Sequence, residues 1–360
     1  MKTYKKLSDI SELISGYAFK SDNYVSNGIR VVRITNVQDG YFSDEHPCFC
    51  PVSIINELGK AVLQENDLLM SLTGNIGRVS FLPKSMLPAG LNQRVECIRT
   101  GDINLKKYLY YYFRTSSFVS EALRNSSGVA QLNLSTRWLG EHLIPMVGPE
   151  ERVSIVKNLE TIDLAIKKCE QELAYYDELT KSRFNELFMH RSLQKNRLVD
   201  VSLSSGEYGA CSASVEYDVN RPRYVRITDI NDDGTLNDDL VSSKVLSDDN
   251  EYRLSYGDFL FARMGATVGK TYAFYSGNQI YAGYLIKYKL DLSKINPRYL
   301  YWYTKQNEYW DWVKIKQSGA AQPGINAKKY DSLEIPLAPI KEQDEFAAFV
   351  KQVDKLKFSI

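Results

Sequence analysis

Apolar and polar positions follow two rhythms along the chain. From Pro149 to about His190 the apolar steps alternate between four and three: Ile155, Leu159, Ile162, Ile166, Cys169, Leu173, Tyr176, Thr180, Arg183 and Leu187. This is a heptad seam, the pattern that lets one helix lie along another. Glu150, Glu151, Lys157, Glu160, Lys167, Lys168, Glu170 and Glu172 fill the remaining faces. Pro149 suits the first turn, and Glu150 and Glu151 suit the positive end of the helix dipole. The spacing predicts one helix over 149–190, with Thr180 and Arg183 as flaws in its seam. At roughly 1.5 Å per residue, 155–187 makes a rod of about 50 Å, near a turn and a half of duplex DNA. A solvated linker helix is the rival to a spacer rod packed antiparallel on a second helix.

On either side of the rod the rhythm is shorter. Val31–Val37 is a β-branched run closed by Gly40, and Asp67–Leu72, Val79–Phe81 and Asn92–Ile98 read as further strands. Leu105–Leu123 is aromatic with helical period. A loop at Ser127, Gly128, Ala130 and Gln131 leads to Leu143-Ile144-Pro145. After the rod the same order returns. Asp258-Phe259-Leu260 lies 191 residues after Asp67-Leu68-Leu69, as Tyr299-Leu300-Tyr301 does after Tyr108-Leu109-Tyr110 and Ile335-Pro336 after Ile144-Pro145. Val225–Asp229 answers Val32–Asn36, and Ser318, Gly319, Ala321 and Gln322 answer the Ser-Gly-x-Ala-Gln loop. The chain is an internal duplication with a period far too long for a solenoid. Each half reads as a mixed α/β (α+β) globule followed by a helix, and the second helix has no counterpart for Glu170–His190.

Composition narrows the function classes. A chain of 360 residues with 44% hydrophobic content can bury two cores. The formal charge of +1 leaves nucleic-acid binding to local patches. Cys48, Cys50, Cys97, Cys169 and Cys211 do not suit a secreted disulfide framework, and no spacing suits zinc, so no metal is expected. With no leader-like opening and no apolar run long enough for a membrane, cytoplasmic residence is the expectation.

The duplicated order resembles that of a specificity subunit of a type I restriction–modification system. The matching features are Ile14–Lys20, the Val-Arg-Ile-Thr-Asn strand, and the Asp-Leu-Leu and Asp-Phe-Leu strands. Gly-x-Ile-Gly-Arg and Gly-x-x-Val-Gly-Lys follow those strands, and the Ser-Gly-x-Ala-Gln loops and Ile-Pro steps complete the match. The resemblance implies two tandem target-recognition domains of similar fold, 1–148 and 191–338. It implies a central spacer helix over 149–190 and a truncated second helix over 339–360. It implies a protein without a catalytic site or cofactor that reads a bipartite sequence in double-stranded DNA. It also implies docking of adenine-methylating (M) subunits and of motor-nuclease (R) subunits. The short second helix puts the intramolecular coiled coil in doubt, and a seam of Ile155, Leu159, Ile162, Ile166, Leu173, Tyr176 and Leu187 without a partner predicts self-association.

Gly265–Thr271 is one residue short of a phosphate-binding loop and leads into a strand-like run, so a hairpin turn is favoured. Asn296-Pro297-Arg298-Tyr299 resembles the Asn-Pro-Pro-Tyr motif of amino-methyltransferases but suits a capped helix start. His46, His142 and His190 are scattered, which gives no nucleophile arrangement. The rival functions are therefore a DNA adenine methyltransferase or NTPase in its own right, and a coiled-coil adaptor without sequence preference. For DNA contact the expected residues are Arg33, Asn36, Thr73, Asn75, Arg78, Asn92, Gln93 and Arg94 in the first half. In the second they are Arg226, Arg263, Lys270, Tyr284, Lys287 and Gln322. Positions that agree between halves suit the scaffold. Positions that differ, such as Asn92-Gln93-Arg94 against Tyr284-Leu285-Ile286, suit sequence reading.

Overall fold

The computed structural model describes residues 3–128, 131–244, 252–317 and 324–359. Ala130, Ser318, Gly319, Ala321 and the expected contact Gln322 lie outside the described residues. The chain divides into two compact units that change over inside the long helix, between Lys167 and Lys168.

The first unit contains strands β1 (Thr3–Lys6), β2 (Glu12–Ser15), β3 (Ile29–Val32), β4 (Phe49–Cys50), β5 (Leu68–Ser71), β6 (Val79–Phe81), β7 (Ala89–Leu91), β8 (Val95–Arg99) and β9 (Leu143–Met146). Its helices are the single turns α1 (Leu7–Ile10) and α2 (Ile55–Leu58), then α3 (Ile103–Phe113), α4 (Ser116–Arg124), α5 (Thr136–Glu141) and the start of α6 (Pro149–Phe184). An antiparallel sheet has the order β2-β8-β5-β6, and a second sheet, β4-β3-β7, joins β3 and β7 in parallel. Strand β5 explains the layering. Leu68 and Met70 point into a core shared with Leu109, Phe113 and Phe118 of the helices, while Leu69 points into a second core with Val32, Leu91 and Cys97. Both faces are buried, so the strand reads as an unbroken apolar run.

The second unit repeats the plan with β10 (Lys195–Arg197), β11 (Glu207–Tyr208), β12 (Ser214–Glu216), β13 (Arg223–Val225), β14 (Val241–Ser243), β15 (Asp258–Ala262), β16 (Thr271–Ala273), β17 (Gln279–Tyr281), β18 (Leu285–Lys289) and β19 (Glu334–Pro336). Its helices are α7 (Pro297–Tyr303), α8 (Asn307–Lys316), α9 (Ala327–Asp331) and α10 (Ile340–Lys357). The sheet β11-β18-β15-β16 matches β2-β8-β5-β6, and β13 pairs with β17 in parallel as β3 does with β7. Phe259 and Phe261 face one core, and Leu260 and Ala262 the other.

Local chemistry moves several expected boundaries. The strand expected over 31–37 ends at Val32, because the Asn36 side chain accepts the Arg33 amide at 2.8 Å and turns Ile34–Asn36 into a 3-10 helix. Asp229 does the same to the Arg226 amide at 2.9 Å. The helix expected over 105–123 is two helices. The Thr115 hydroxyl caps α4 through the Phe118 amide, and the break brings the Phe113 and Phe118 rings to 4.7 Å. The Gly265–Lys270 stretch turns β15 into antiparallel β16, with φ of 72° at Gly265 and 88° at Gly269, so the hairpin holds and no helix follows to cradle phosphate. The Asn296 side chain caps α7 at the Arg298 amide, 2.9 Å away, beside Pro297 in the first turn.

Helix α6 is continuous over 36 residues and ends in one wide turn at Asn185–Met189. Within the first unit its beginning docks by Val156 and by Arg152, whose guanidinium donates to Asp102, the cap of α3, at 3.1 Å. Within the second unit its end buries Thr180, Phe184 and Phe188. The buried stripe therefore departs from the heptad seam after Thr180, as a helix of 3.6 residues per turn drifts from a 3.5-residue repeat. Along the seam Ile155, Leu159, Tyr176 and Leu187 are half-buried, whereas Ile162, Ile166 and Leu173 are exposed. The doubt over a helix pair inside this chain is corrected within the second unit. Helix α10 runs antiparallel to the end of α6, with Glu342 paired to Arg191, Phe346 5.3 Å from Phe184, and Lys357 bonded to Asp177.

Candidate nucleic-acid interface

In the first unit several loops meet at one end of the sheet β2-β8-β5-β6. The turn Asn92–Arg94 sits at their centre. Its Gln93 amide donates to the Tyr17 carbonyl in the loop after β2 at 3.0 Å. Its Arg94 carbonyl accepts the Leu72 amide after β5, also at 3.0 Å. The Leu72 carbonyl in turn accepts the Leu134 amide, and Gly74 donates to Leu132. The loops after β2 and β5, the turn and residues 131–134 are thus laced together by backbone bonds. The lacing requires a glycine at position 16, where a Cβ would sit 2.2 Å from the Asn92 carbonyl group.

The second unit builds the same end. Gly283 donates to Ala210 at 2.9 Å, Arg263 to the Tyr284 carbonyl at 3.0 Å, and Ile325 to the Arg263 carbonyl at 2.9 Å. Gly209 replaces Gly16, with a Cβ there 2.4 Å from the Ala282 oxygen. These bonds set the correspondence: Asn92 matches Ala282, Gln93 matches Gly283 and Arg94 matches Tyr284. The sequence pairing of Asn92-Gln93-Arg94 with Tyr284-Leu285-Ile286 is out of register by two, because it uses an offset of 192 where the backbone bonds set one of 190.

The expected contacts separate into braces of the fold and residues at the loop end. Asn36 is buried, accepts the Arg33 amide and donates to the Ser43 carbonyl at 2.9 Å, so it has no face left for a base. The Arg33 guanidinium is turned onto the His46 carbonyl at 2.8 Å. Thr73 is buried and bonds Asn133 at 2.8 Å. Arg226 holds the fully buried Asp229 at 2.7 Å and reaches Asp239 at the same distance. Lys287 is buried in mid-strand with its amine 2.9 Å from Glu207. Asn36, Thr73, Arg226 and Lys287 are thus committed to the fold, because a buried or ion-paired group cannot pair with a base edge without giving up those bonds, whereas Arg33 is half-buried and only its contact to His46 ties down its guanidinium.

Others remain at the loop end. Asn75 is exposed and accepts from Arg78 at 3.2 Å, and Arg78 also donates to Gln38 at 2.5 Å. Lys270 pairs with the exposed Asp232 at 2.8 Å. Arg263 lies 4.7 Å over the Tyr208 ring. Asn92 is half-buried, its side chain bonded to the Arg94 amide at 3.3 Å. Gln93 and Arg94 are exposed, and among the described residues their side chains have no partner. Tyr284 is 57% exposed. Sequence reasoning passed over Gln131 and Asn133, exposed beside Gly74 and Thr73. The Ser-Gly-x-Ala-Gln repeat marked that loop, and its second copy supplied the expected contact Gln322, but its first copy was not carried over to Gln131. Behind the turn, Glu96 is buried. Burial pushes its carboxyl up to about 7, although the Ser15 hydroxyl donates to it at 3.1 Å. By strand register its counterpart is Ile286: Met70 faces Glu96 as Phe261 faces Ile286.

Among the described residues no cluster of His, Cys, Asp or Glu is arranged to hold a metal ion, and no helix is long and apolar enough to cross a membrane. The comparisons with known proteins agree with the duplication. The specificity subunit of the type I restriction enzyme MjaVIII from Methanocaldococcus jannaschii is 26% identical over 196 residues, covering 53% of this chain and 46% of that protein. The EcoAI specificity subunit from Escherichia coli is 27% identical over 163 residues, covering 44% of this chain and 27% of that protein. The StySPI specificity subunit from Salmonella potsdam is 21% identical over 383 residues, covering 96% and 81%. The chain thus spans less than half the length of the first two relatives. In fold it is similar to the type I restriction–modification S subunit of M. genitalium, with a TM-score of 0.57, 13% identity and coverage of 99% and 90%. The family model for the type I restriction modification DNA specificity domain matches twice, over residues 1–174 and 198–360, and the chain belongs to that family.

Proposed function

We propose that this chain is the non-catalytic DNA-reading subunit of a type I restriction–modification complex. Residues 1–148 and 191–338 act as target-recognition domains, each reading one half of an interrupted sequence in double-stranded DNA. Helix α6 and the second helix, α10, serve as spacer and as the docking face for M subunits, which supply adenine methylation, and R subunits join that assembly. Such a role belongs in the cytoplasm, with the DNA. The observation that carries this reading is the doubled loop end. Two units share one backbone network there, down to Gly16 and Gly209, yet they carry different side chains at its exposed positions. Shared braces with divergent tips suit two readers of different short sequences.

The test is reconstitution with the cognate M subunit on a library of random duplexes. Methylation confined to one bipartite sequence, and lost when this chain is omitted, is the expected result. A methylation pattern indifferent to the chain overturns the reading. Methylation that depends on the chain but falls on all sequences alike supports the adaptor instead.

A further inference from the structure

The turn before β8 and its counterpart before β18 carry different exposed side chains on one backbone frame. The two turns make the same backbone bonds. Val95 donates to Asn92 as Leu285 does to Ala282, and Asn92 donates to Val32 as Ala282 does to Val225. Apart from Asn66, no described residue other than glycine has positive φ, so the turn itself dictates no residue type at 93 or 94. Their side chains are free among the described residues, whereas the equivalent arginines 33 and 226 are committed to braces. The cation has moved between the units. The first has Arg94 at the tip and Leu72 beneath it, while the second has Tyr284 at the tip and Arg263 beneath, stacked on Tyr208.

We infer that these two turns are the sequence-reading fingers of the units, with Arg94 reading a guanine in one half-site and Tyr284 a base in the other. The inference rests on the DNA-reading role proposed above. A guanidinium offers two parallel donors that match O6 and N7 of guanine on the major-groove edge. A phenol offers one hydroxyl and an apolar ring, so it cannot make that forked pair and suits ring contact with a thymine methyl or a single bond. The tips therefore select different bases from one backbone frame. Gly283 leaves the second turn slimmer than the first, where Gln93 adds a further donor and acceptor.

The experiment uses the full chain with its M subunit on the random-duplex library, comparing wild type with R94K, R94A and Y284A. Arg94→Lys keeps the charge and removes the fork. Expected for both Arg94 variants is relaxed preference at one position of one half-site, by about five- to a hundredfold, with the other half-site unchanged. Tyr284→Ala is expected to alter only the other half-site. Unchanged melting of the variants shows that the exposed tips have not disturbed the fold. An R94K map identical to wild type, with R94A weaker on all sequences alike, makes Arg94 a phosphate contact and overturns the inference. So do maps unchanged by all three variants while methylation still depends on the chain. Methylation independent of the chain overturns the underlying role instead, and the omission control separates the two failures.

Discussion

Glu96 turns the architecture behind the Asn92–Arg94 turn into a measurable pH dependence. Its side chain is 1% exposed, on the strand face where the second unit carries Ile286. Burial raises its pKa from 4.5 to about 7, and the Ser15 hydroxyl offsets only part of that rise. The folded state therefore binds the proton more tightly than the unfolded chain does. The stabilisation is complete below about pH 4.5 and drains away as the pH rises through 7. The gap is worth about 3 kcal/mol at neutral to alkaline pH. Glu96→Gln keeps the shape and a donor for the same pocket but cannot ionise. Denaturation of the full chain, with hydrogen exchange of the β8 amides as the local probe, should find variant and wild type within about 1 kcal/mol near pH 5. At about pH 8 the variant should be more stable by about 3 kcal/mol, or roughly 6–12 °C in the melting of a unit of this size. Parallel stability curves for the two proteins across that range would refute the assignment of a buried, proton-holding carboxyl.

Other perturbations test the frame around the proposed interface. Arg226→Ala strips the buried Asp229 of its guanidinium, and urea denaturation should show the second unit losing about 3 kcal/mol. Phe184→Ala opens a cavity among Phe188, Tyr299 and Phe346, and should cost about 3–5 kcal/mol and abolish exchange protection in α10. The exposed Ile166 and Leu173 should drive concentration-dependent self-association along α6, which the double substitution I166K and L173K should remove in sedimentation equilibrium. A wild-type chain that stays monomeric at every concentration contradicts that expectation.

Periodicity and repetition carried most of the fold. The helix from Pro149, the strands at Leu68 and Phe259, and the doubled order all follow from signals spread over many residues. What the sequence hid were decisions taken by single side chains. Asn36 and Thr115 each redirect the backbone with one hydrogen bond, ending a strand in one case and splitting a helix in the other. Neither bond leaves a trace in hydrophobic pattern. The interface was harder still, because an arginine or asparagine on a hairpin looks the same whether it faces solvent or braces a turn. Arg33 and Arg226 were expected as DNA contacts although their agreement between the halves suited scaffold as well, and their bonds to His46 and Asp229 turn them toward the fold.

The duplication makes the chain its own control, and this is what gives the difference at residues 94 and 284 its weight. Two units built on the same hydrogen-bond frame have already met every demand that folding makes on that frame. Folding asks little more of the tips, since their side chains are exposed without a hydrogen-bond or ion-pair partner among the described residues and their backbone has no positive φ. A guanidinium in one and a phenol in the other thus reflect whatever each unit faces. If both units faced only the phosphate backbone, which is alike at every step of a duplex, one cation would serve both places and the second unit would have no use for a phenol there. Its arginine stands instead at residue 263, over the Tyr208 ring. The inferred reading of different bases by the two turns would account for both exchanges at once.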